Sequence, residues 1–138
     1  MYLVDTNVLS EVRKKKKANR GVQQFFKSTI KNQQSLYVSV ITVGELRRGV
    51  ELIRHRGDSR QVNLLEKWLT IVLLEYQDNI LNVDADVAQL WGKLCSPHHE
   101  YALDKLMVAT AMIHSLTVVT CNDKDFKRTG VEVLNPFD

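Results

Sequence analysis

The sequence predicts an α/β fold with a mainly parallel sheet that helices cover on both faces. Short apolar segments rich in β-branched residues alternate along the chain with longer segments whose apolar residues recur at helical spacing. No repeat, low-complexity tract or linker interrupts the 138 residues, and a chain of this length normally forms one domain with its own core. We therefore expect a single domain over residues 1–138.

The first predicted strand and the first predicted helix meet at an aspartate. Tyr2–Val4 is too short and too rich in β-branched and aromatic residues for a helix, and it suits a buried strand. Thr6 and Asn7 are of the types that cap helices, and the apolar residues after them recur at helical spacing. Asp5 is therefore predicted to lie at the carboxyl end of a strand, where open α/β sheets bind their ligands.

The remaining elements continue the alternation. Further strands are predicted at Leu36–Val40, Ile80–Val83, Leu116–Thr120 and Val131–Leu134. Helices are predicted at Val22–Ile30, from Thr42 to near Gly57, at Arg60–Tyr76, from Asp84 to Leu94 and at Ala102–His114, and Asn122–Phe126 is predicted to be a turn. Because parallel neighbours need crossover connections, this order favours a parallel sheet.

Composition and charge bound the function only loosely. Apolar residues make up 44% and charged residues 25% of the chain, as in an ordinary soluble globular protein. The net charge of +3 does not by itself indicate nucleic acid. Two basic blocks could attract polyanions, although a solvated helix end is the commoner explanation of either one. The blocks are Arg13–Lys17 and the set Arg47, Arg48, Arg54, His55, Arg56 and Arg60.

Cysteine usage and hydropathy favour a cytoplasmic protein. Cys95 and Cys121 lie far apart without metal-ligand spacing, so we expect free thiols in a reducing compartment. No apolar run approaches the ~20 residues of a membrane span. No signal peptide precedes Asp5, and we expect no membrane partner.

Acidic residues near the predicted strand ends are the candidate functional residues. Asp5 follows the first strand, Glu45 comes soon after the second, and Asp104 interrupts an apolar helix that is expected to be buried. Asp123 and Asp125 follow the strand that ends at Thr120. A parallel sheet brings such strand ends into one crevice, so we expect these acids to share a site.

Each acid also has a structural explanation. Asp5 and Asp104 could bond to free N–H groups near a helix start, and the segment Thr42–Glu45 fits a capping box. Asp123 and Asp125 could stabilise a turn.

A shared oxygen-only site, without Cys or His at binding spacing, favours Mg²⁺ or Mn²⁺ over Zn²⁺. Such a site can hydrolyse phosphodiesters.

Four stretches, in this order and spacing, resemble the PIN-domain ribonucleases and, within them, the toxin subunits of VapBC-type toxin–antitoxin modules. The tail Gly130–Phe137 is also similar to that of the family. The stretches are Leu3–Glu11, Ile41–Gly49, Asp104–Ala111 and Val118–Phe126. The resemblance implies a PIN-like three-layer fold with a twisted five-stranded parallel sheet, and Mg²⁺-dependent endonucleolytic cleavage of RNA. It further implies a homodimer that a cognate antitoxin neutralises in a hetero-oligomer.

The resemblance also implies roles for individual residues. Asp5 and Asp104 match the principal metal ligands, and Glu45 matches the acid that helps to deprotonate a water. Thr6 and Thr120 match hydrogen-bonding neighbours of the acids, whereas Asn7 is expected to stabilise the turn.

The fourth acidic position departs from the family pattern, because Asn122 occupies the place where some relatives have an acid. We expect Asp125 to be the fourth acid, with Asn122 as a helper and Asp123 bonded to the N–H groups of the turn. Phe126 is expected to anchor that turn in the core. His98 and His99 match nothing in the family pattern.

Two other functions compete with this interpretation. A phosphatase of the haloacid-dehalogenase type also begins with a strand and an aspartate, but it needs a second aspartate where this chain has Asn7. A catalytically inactive RNA- or partner-binding module would not need clustered acids, because clustered charge without metal is costly. By the resemblance, apolar helix faces around Val50 and Ile53, and around Leu65, Leu69 and Leu73, are expected to receive a second copy and an antitoxin.

Overall fold

The computed structural model describes all residues from Met1 to Asp138. Strands and helices alternate along the chain in thirteen elements, one of which is a single 3-10 turn at Lys15–Lys17. The strands are β1 (Tyr2–Val4), β2 (Leu36–Ser39), β3 (Ile80–Leu81), β4 (Thr117–Val119) and β5 (Val133–Leu134). The helices are α1 (Thr6–Val12), α2 (Arg20–Lys31), α3 (Val40–His55), α4 (Ser59–Glu75), α5 (Ala85–Leu94), α6 (Ala102–Ile113) and α7 (Asp123–Lys127).

The five strands form one sheet in the order β3-β2-β1-β4-β5, and every neighbouring pair is parallel. From β1 the strand order runs outward to β2 and β3, and the chain then crosses to the other side of β1 to form β4 and β5. The strand order therefore reverses between β1 and β4, and open α/β sheets bind ligands at such a point. The predicted α/β fold with a parallel five-stranded sheet is confirmed.

Apolar side chains fill the space on both faces of the sheet. Alternate residues of a strand point to opposite faces, so Val4 packs with the helices α1 to α4 and Leu3 with α6 and α7. Phe126 is almost completely buried on the second face, as predicted, and it fixes α7 against the sheet. The carboxyl ends of the strands are thus held by packed helices on both sides.

Two local predictions are wrong. The helix α3 begins at Val40 rather than Thr42, because the Ser39 hydroxyl caps it by accepting a hydrogen bond from the N–H of Ile41 at 3.0 Å. Thr42 is consequently buried inside the helix, and Glu45 is not part of a capping box. The segment predicted as a turn after β4 forms the short helix α7 instead.

No helix is both long enough and apolar enough to cross a membrane.

The predicted helix that starts after Asp84 is confirmed as α5. The Asp84 carboxylate caps it by accepting a hydrogen bond from the N–H of Val87 at 2.9 Å.

Candidate active site at the carboxyl edge of the sheet

Asp5 follows β1 directly and is 6% exposed. Its Oδ1 accepts a hydrogen bond from the N–H of Thr6 at 2.8 Å, so Asp5 is the N-cap of α1. Its Oδ2 accepts hydrogen bonds from the Thr120 hydroxyl at 2.8 Å and from the side-chain amide of Asn7 at 3.0 Å. A carboxylate has about four acceptor positions, so these three bonds orient Asp5 and leave it capacity for a cation.

Thr120 joins the ends of β1 and β4. Its hydroxyl, which is fully buried, donates to Asp5 and accepts from the Asn7 amide at 3.2 Å and from the N–H of Asn122 at 3.1 Å. Asn7 in turn accepts a hydrogen bond from the N–H of Cys121 at 3.1 Å. Asn7 therefore does more than stabilise its own turn, because it contacts the Asp5 carboxylate and connects two loops that are far apart in the sequence.

Glu45 projects from α3 and is half-buried. Its Oε1 accepts a hydrogen bond from the Thr6 hydroxyl at 2.9 Å. Burial raises the pKa of Glu45, and the charge of Asp5 raises it further, while the Thr6 hydrogen bond and the charge of Arg48 act in the opposite direction. The structure thus brings Glu45 to the same edge of the sheet as Asp5.

Asp104 lies in the first turn of α6 and is also half-buried. Burial raises the pKa of Asp104, and the negative charges of Asp5, Glu45 and Asp125 add to the effect in that order. None of these four carboxylates forms an ion pair with a lysine or an arginine. Asp104 is therefore within electrostatic reach of the other three acids, and Arg48 offsets part of the negative charge at Glu45 without forming an ion pair. We call these four residues the acid group.

The two aspartates of α7 have different surroundings. Asp123 accepts a hydrogen bond from Lys127 at 3.0 Å and one from the side-chain amide of Asn135 at 3.3 Å. The hydrogen bond from Lys127 is the main cause of a lowered pKa at Asp123. The expectation that Asp123 bonds chiefly to the N–H groups of the turn is wrong, because these two side chains occupy its carboxylate. Asp125 is exposed and has no such partner, and its negative charge raises the pKa of Asp104.

Asn122 is exposed, and its side chain forms no hydrogen bond with the acid group. Its amide oxygen accepts a weak hydrogen bond from the Cys121 thiol at 3.7 Å, while its backbone N–H bonds to Thr120. Burial raises the pKa of the Cys121 thiol and the charge of Asp5 raises it further, which disfavours the thiolate form that binds metals.

No three His, Cys, Asp or Glu side chains lie close enough together to hold a metal ion by themselves. The donors that the acid group offers are all oxygen atoms, which suit Mg²⁺ or Mn²⁺ rather than Zn²⁺. Mg²⁺ keeps several water ligands and is commonly bound through one or two carboxylates. The residues therefore fit a hydrated Mg²⁺ or Mn²⁺ ion better than a closed protein cage.

Comparisons with known proteins agree along nearly the whole chain. Residues 2–132 match the family described as PIN domain. Toxin FitB from Neisseria gonorrhoeae is 35% identical over 142 residues, which cover 99% of this chain and 99% of that protein. The VapC ribonuclease Y4jK from Sinorhizobium fredii is 29% identical over 145 residues, which cover 100% of this chain and 99% of that protein. A crystal structure of FitAcB from Neisseria gonorrhoeae matches with a TM-score of 0.84 and 34% identity, covering 99% of this chain and 98% of that one.

Proposed function

The chain belongs to the PIN domain family, as its four motifs suggested, and from this we propose that it is a metal-dependent endoribonuclease and the toxin of a VapBC-like toxin–antitoxin system. The observation that supports the activity most directly is the acid group, which lies at the carboxyl edge of the sheet where the strand order reverses. None of its carboxylates forms an ion pair with a lysine or an arginine of the chain. The names of the relatives, a toxin and a VapC ribonuclease, point in the same direction.

Asp5 and Asp104 would hold the ion, with Asp125 contributing from the rim through water. When bound, Mg²⁺ or Mn²⁺ would polarise the phosphate, lower the pKa of a water and stabilise the leaving oxygen. Thr120 and Asn7 keep the Asp5 carboxylate in one orientation, since both donate hydrogen bonds to its Oδ2. This support matters because a misplaced ligand weakens a metal site even when the ligand itself is present.

Glu45 is suited to accept the proton of the attacking water. The Thr6 hydroxyl orients one oxygen of Glu45, which leaves the other oxygen free to bond to water. A carboxylate with a raised pKa is a stronger base than an ordinary one, and burial gives Glu45 this property.

An apolar groove next to the acid group is the site that we propose for the antitoxin. It has a volume of about 320 Å³, and it includes Thr6 and Glu45 as well as the apolar side chains of Val50, Ile53 and Leu65. An antitoxin peptide in this groove could extend an arginine to the acid group and compete there with the metal. The groove uses part of the apolar surface that the sequence singled out, although Leu69 and Val50 are themselves buried in the chain's own core.

A homodimer in the cytoplasm is the assembly that we propose, with the antitoxin adding to it as a hetero-oligomer. Exposed apolar side chains on one surface of α4 are available for such contacts, namely Leu64, Ile71 and Leu74. Light scattering at micromolar concentration should show a dimer, and a monomer alone would contradict this part of the proposal.

The activity is tested with purified protein, structured RNA and Mg²⁺ or Mn²⁺. Cleavage should stop when EDTA is added, and Asp104→Asn should lower the rate by about 100-fold or more because a principal ligand is lost. Glu132→Gln is the matched control, because Glu132 is an exposed acid at the opposite edge of the sheet. Asp5→Asn should be equally inactive, but an amide cannot accept all three hydrogen bonds of Asp5, so that variant loses stability as well.

Two results would contradict the proposal. Cleavage that persists in EDTA and in Asp104→Asn would exclude the acid group as the site. Tight RNA binding by the wild type without cleavage under any divalent metal would instead favour an inactive binding module.

A further inference from the structure

A cavity of about 660 Å³ opens beside the acid group, between α5, the loop before α6, α6 itself and α7. Asp104 and Asp125 belong to its lining, so it is continuous with the proposed catalytic edge. Small-molecule and nucleotide sites commonly have volumes of about 300–1,000 Å³. The cavity is therefore large enough for one nucleotide next to the scissile phosphate.

Unpaired cations also line this cavity. Lys93 from α5 and Arg128 after α7 are exposed and form no ion pair within the chain. Lysine and arginine are the residues that bind phosphate, and arginine can do so through two parallel hydrogen bonds. The lining of the cavity therefore combines two members of the acid group with two cations that no ion pair occupies, and the Glu100 carboxylate also belongs to it.

Tyr101 presents an aromatic ring at the same cavity. Its backbone has a φ of +57°, a left-handed conformation that a tyrosine rarely adopts, and the residue is 64% exposed. Strained residues of this kind persist where the surrounding structure holds them, and they concentrate at functional sites. Lys15, Gln33 and Ser115 share this backbone conformation, but only Tyr101 also places an exposed aromatic side chain at the cavity.

Three contacts hold the loop that carries this ring. The Trp91 indole N–H donates to the carbonyl of Ala102 at 2.9 Å, and the Trp91 ring packs edge-on against His99 with 6.0 Å between centroids. The Lys105 amine donates to the carbonyl of His98 at 2.6 Å. His98 and His99, which have no counterpart in the motifs, thus belong to a fixed loop. These contacts hold the backbone on either side of Tyr101 in place, which reduces the entropy lost when its ring binds a ligand.

We propose that this cavity is a nucleotide subsite in which an unstacked RNA base packs on Tyr101 while Lys93 and Arg128 bind the adjoining phosphates. The inference rests on the proposed ribonuclease function and assigns the residues that would bind the nucleotide next to the scissile phosphate. Unpaired bases can stack on aromatic side chains, whereas bases in a duplex cannot leave their neighbours without a cost.

The test measures binding rather than cleavage. The probe is a fluorescently labelled hairpin RNA with a single-stranded loop, and fluorescence anisotropy is recorded in EDTA so that no cleavage occurs. Tyr101→Ala should raise the Kd by about tenfold, because base–aromatic stacking accounts for roughly that much per base. Tyr101→Phe keeps the ring and should bind within about twofold of the wild type.

A set of hairpins with one abasic nucleotide at successive loop positions locates the base that stacks. At one position the abasic probe should bind wild type and Tyr101→Ala equally, because the stacked base is already missing. Lys93→Gln and Arg128→Gln should each reduce the slope of log K against log salt by about 0.7, the value for one phosphate contact on a single strand. Lys27→Gln is the control, since Lys27 is exposed on α2 across the sheet from the cavity.

Three outcomes would overturn the inference. Tyr101→Ala could bind every hairpin as the wild type does, it could lose the same affinity for all abasic probes, or its weaker binding could accompany a changed oligomeric state. If the wild type cleaves RNA and one of these results is found, only the subsite is wrong. If the wild type neither binds nor cleaves RNA, the proposed function fails and the subsite fails with it.

Discussion

Replacing Thr120 with valine tests whether one buried hydroxyl holds the carboxyl edge of the sheet together. Valine has nearly the shape of threonine, so Thr120→Val removes the hydroxyl with little change in packing. The hydroxyl donates to the Asp5 carboxylate and accepts hydrogen bonds from Asn7 and from the N–H of Asn122. All three contacts are lost in the variant.

The expected cost follows from these contacts. A hydrogen bond to a charged group stabilises a protein by about 1.5–3 kcal/mol, and a neutral one by about 0.5–1.5 kcal/mol. Asn7 keeps its bond to Asp5 in the variant, so only the bond from Asn122 adds substantially to the loss. The sum is about 3 kcal/mol, and in a domain of 138 residues this corresponds to a fall in Tm of roughly 10 °C.

Thermal unfolding followed by circular dichroism in EDTA measures the effect without a contribution from bound metal. Thr120→Ser is the matched control, because it keeps the hydroxyl and loses only a methyl group, at a cost of about 1 kcal/mol. Thr120→Val should therefore unfold well below Thr120→Ser. If the two variants unfold within about 3 °C of each other, the hydroxyl does not hold the edge and the reasoning is refuted.

Three further predictions concern single residues. Asp104→Asn should raise the Tm at pH 7, because burial raises the pKa of Asp104 and its ionised carboxylate therefore destabilises the folded state above that raised pKa. The gain in Tm should vanish as the pH falls towards 3.8, the ordinary pKa, because the carboxyl group is then protonated in the folded wild type as well. An equal gain in Tm at pH 7 and at the lower pH would contradict this. Asp125→Ala should slow cleavage more than Asp123→Ala, and the reverse order in a rate assay would make Asp123 the fourth acid. Gly21→Ala should lower the free energy of unfolding in urea by about 1–3 kcal/mol, because a Cβ at this position would overlap the carbonyl oxygen of Pro136. Gly49→Ala is the control, because a Cβ there meets open space and should not lower the free energy of unfolding.

The fold was predictable from the sequence because hydrophobic periodicity alternates clearly between strand and helix. One of the two failures lies where β2 and α3 meet without a loop. Ser39 is both the last residue of β2 and the cap of α3, so the later Thr42 and Glu45 resembled a capping box that the chain does not form. Serine caps as well as threonine does, and the sequence alone did not distinguish the two starts.

Contacts within the site were less accessible to sequence reasoning. The role of Asn7 depends on Cys121, which is 114 positions away, so only the folded chain shows it. The pairing of Asp123 with Lys127, by contrast, has the i,i+4 spacing of a helical ion pair and could have indicated that α7 is a helix. The left-handed Tyr101 had no signal, because tyrosine is not a residue that marks such a conformation.

The charges around Asp104 give a physical reason to look for a cation from outside the chain at this edge. The carboxylates of Asp5, Glu45 and Asp125 all raise the pKa of Asp104, and none of the four forms an ion pair with a lysine or an arginine. The chain carries a net charge of +3, so it does not lack cations for this purpose. Carboxylates gathered without ion-pair partners destabilise the folded state, and such a cost is retained where function depends on it. A metal ion or an antitoxin arginine would relieve the same repulsion, which is why the two are expected to exclude each other.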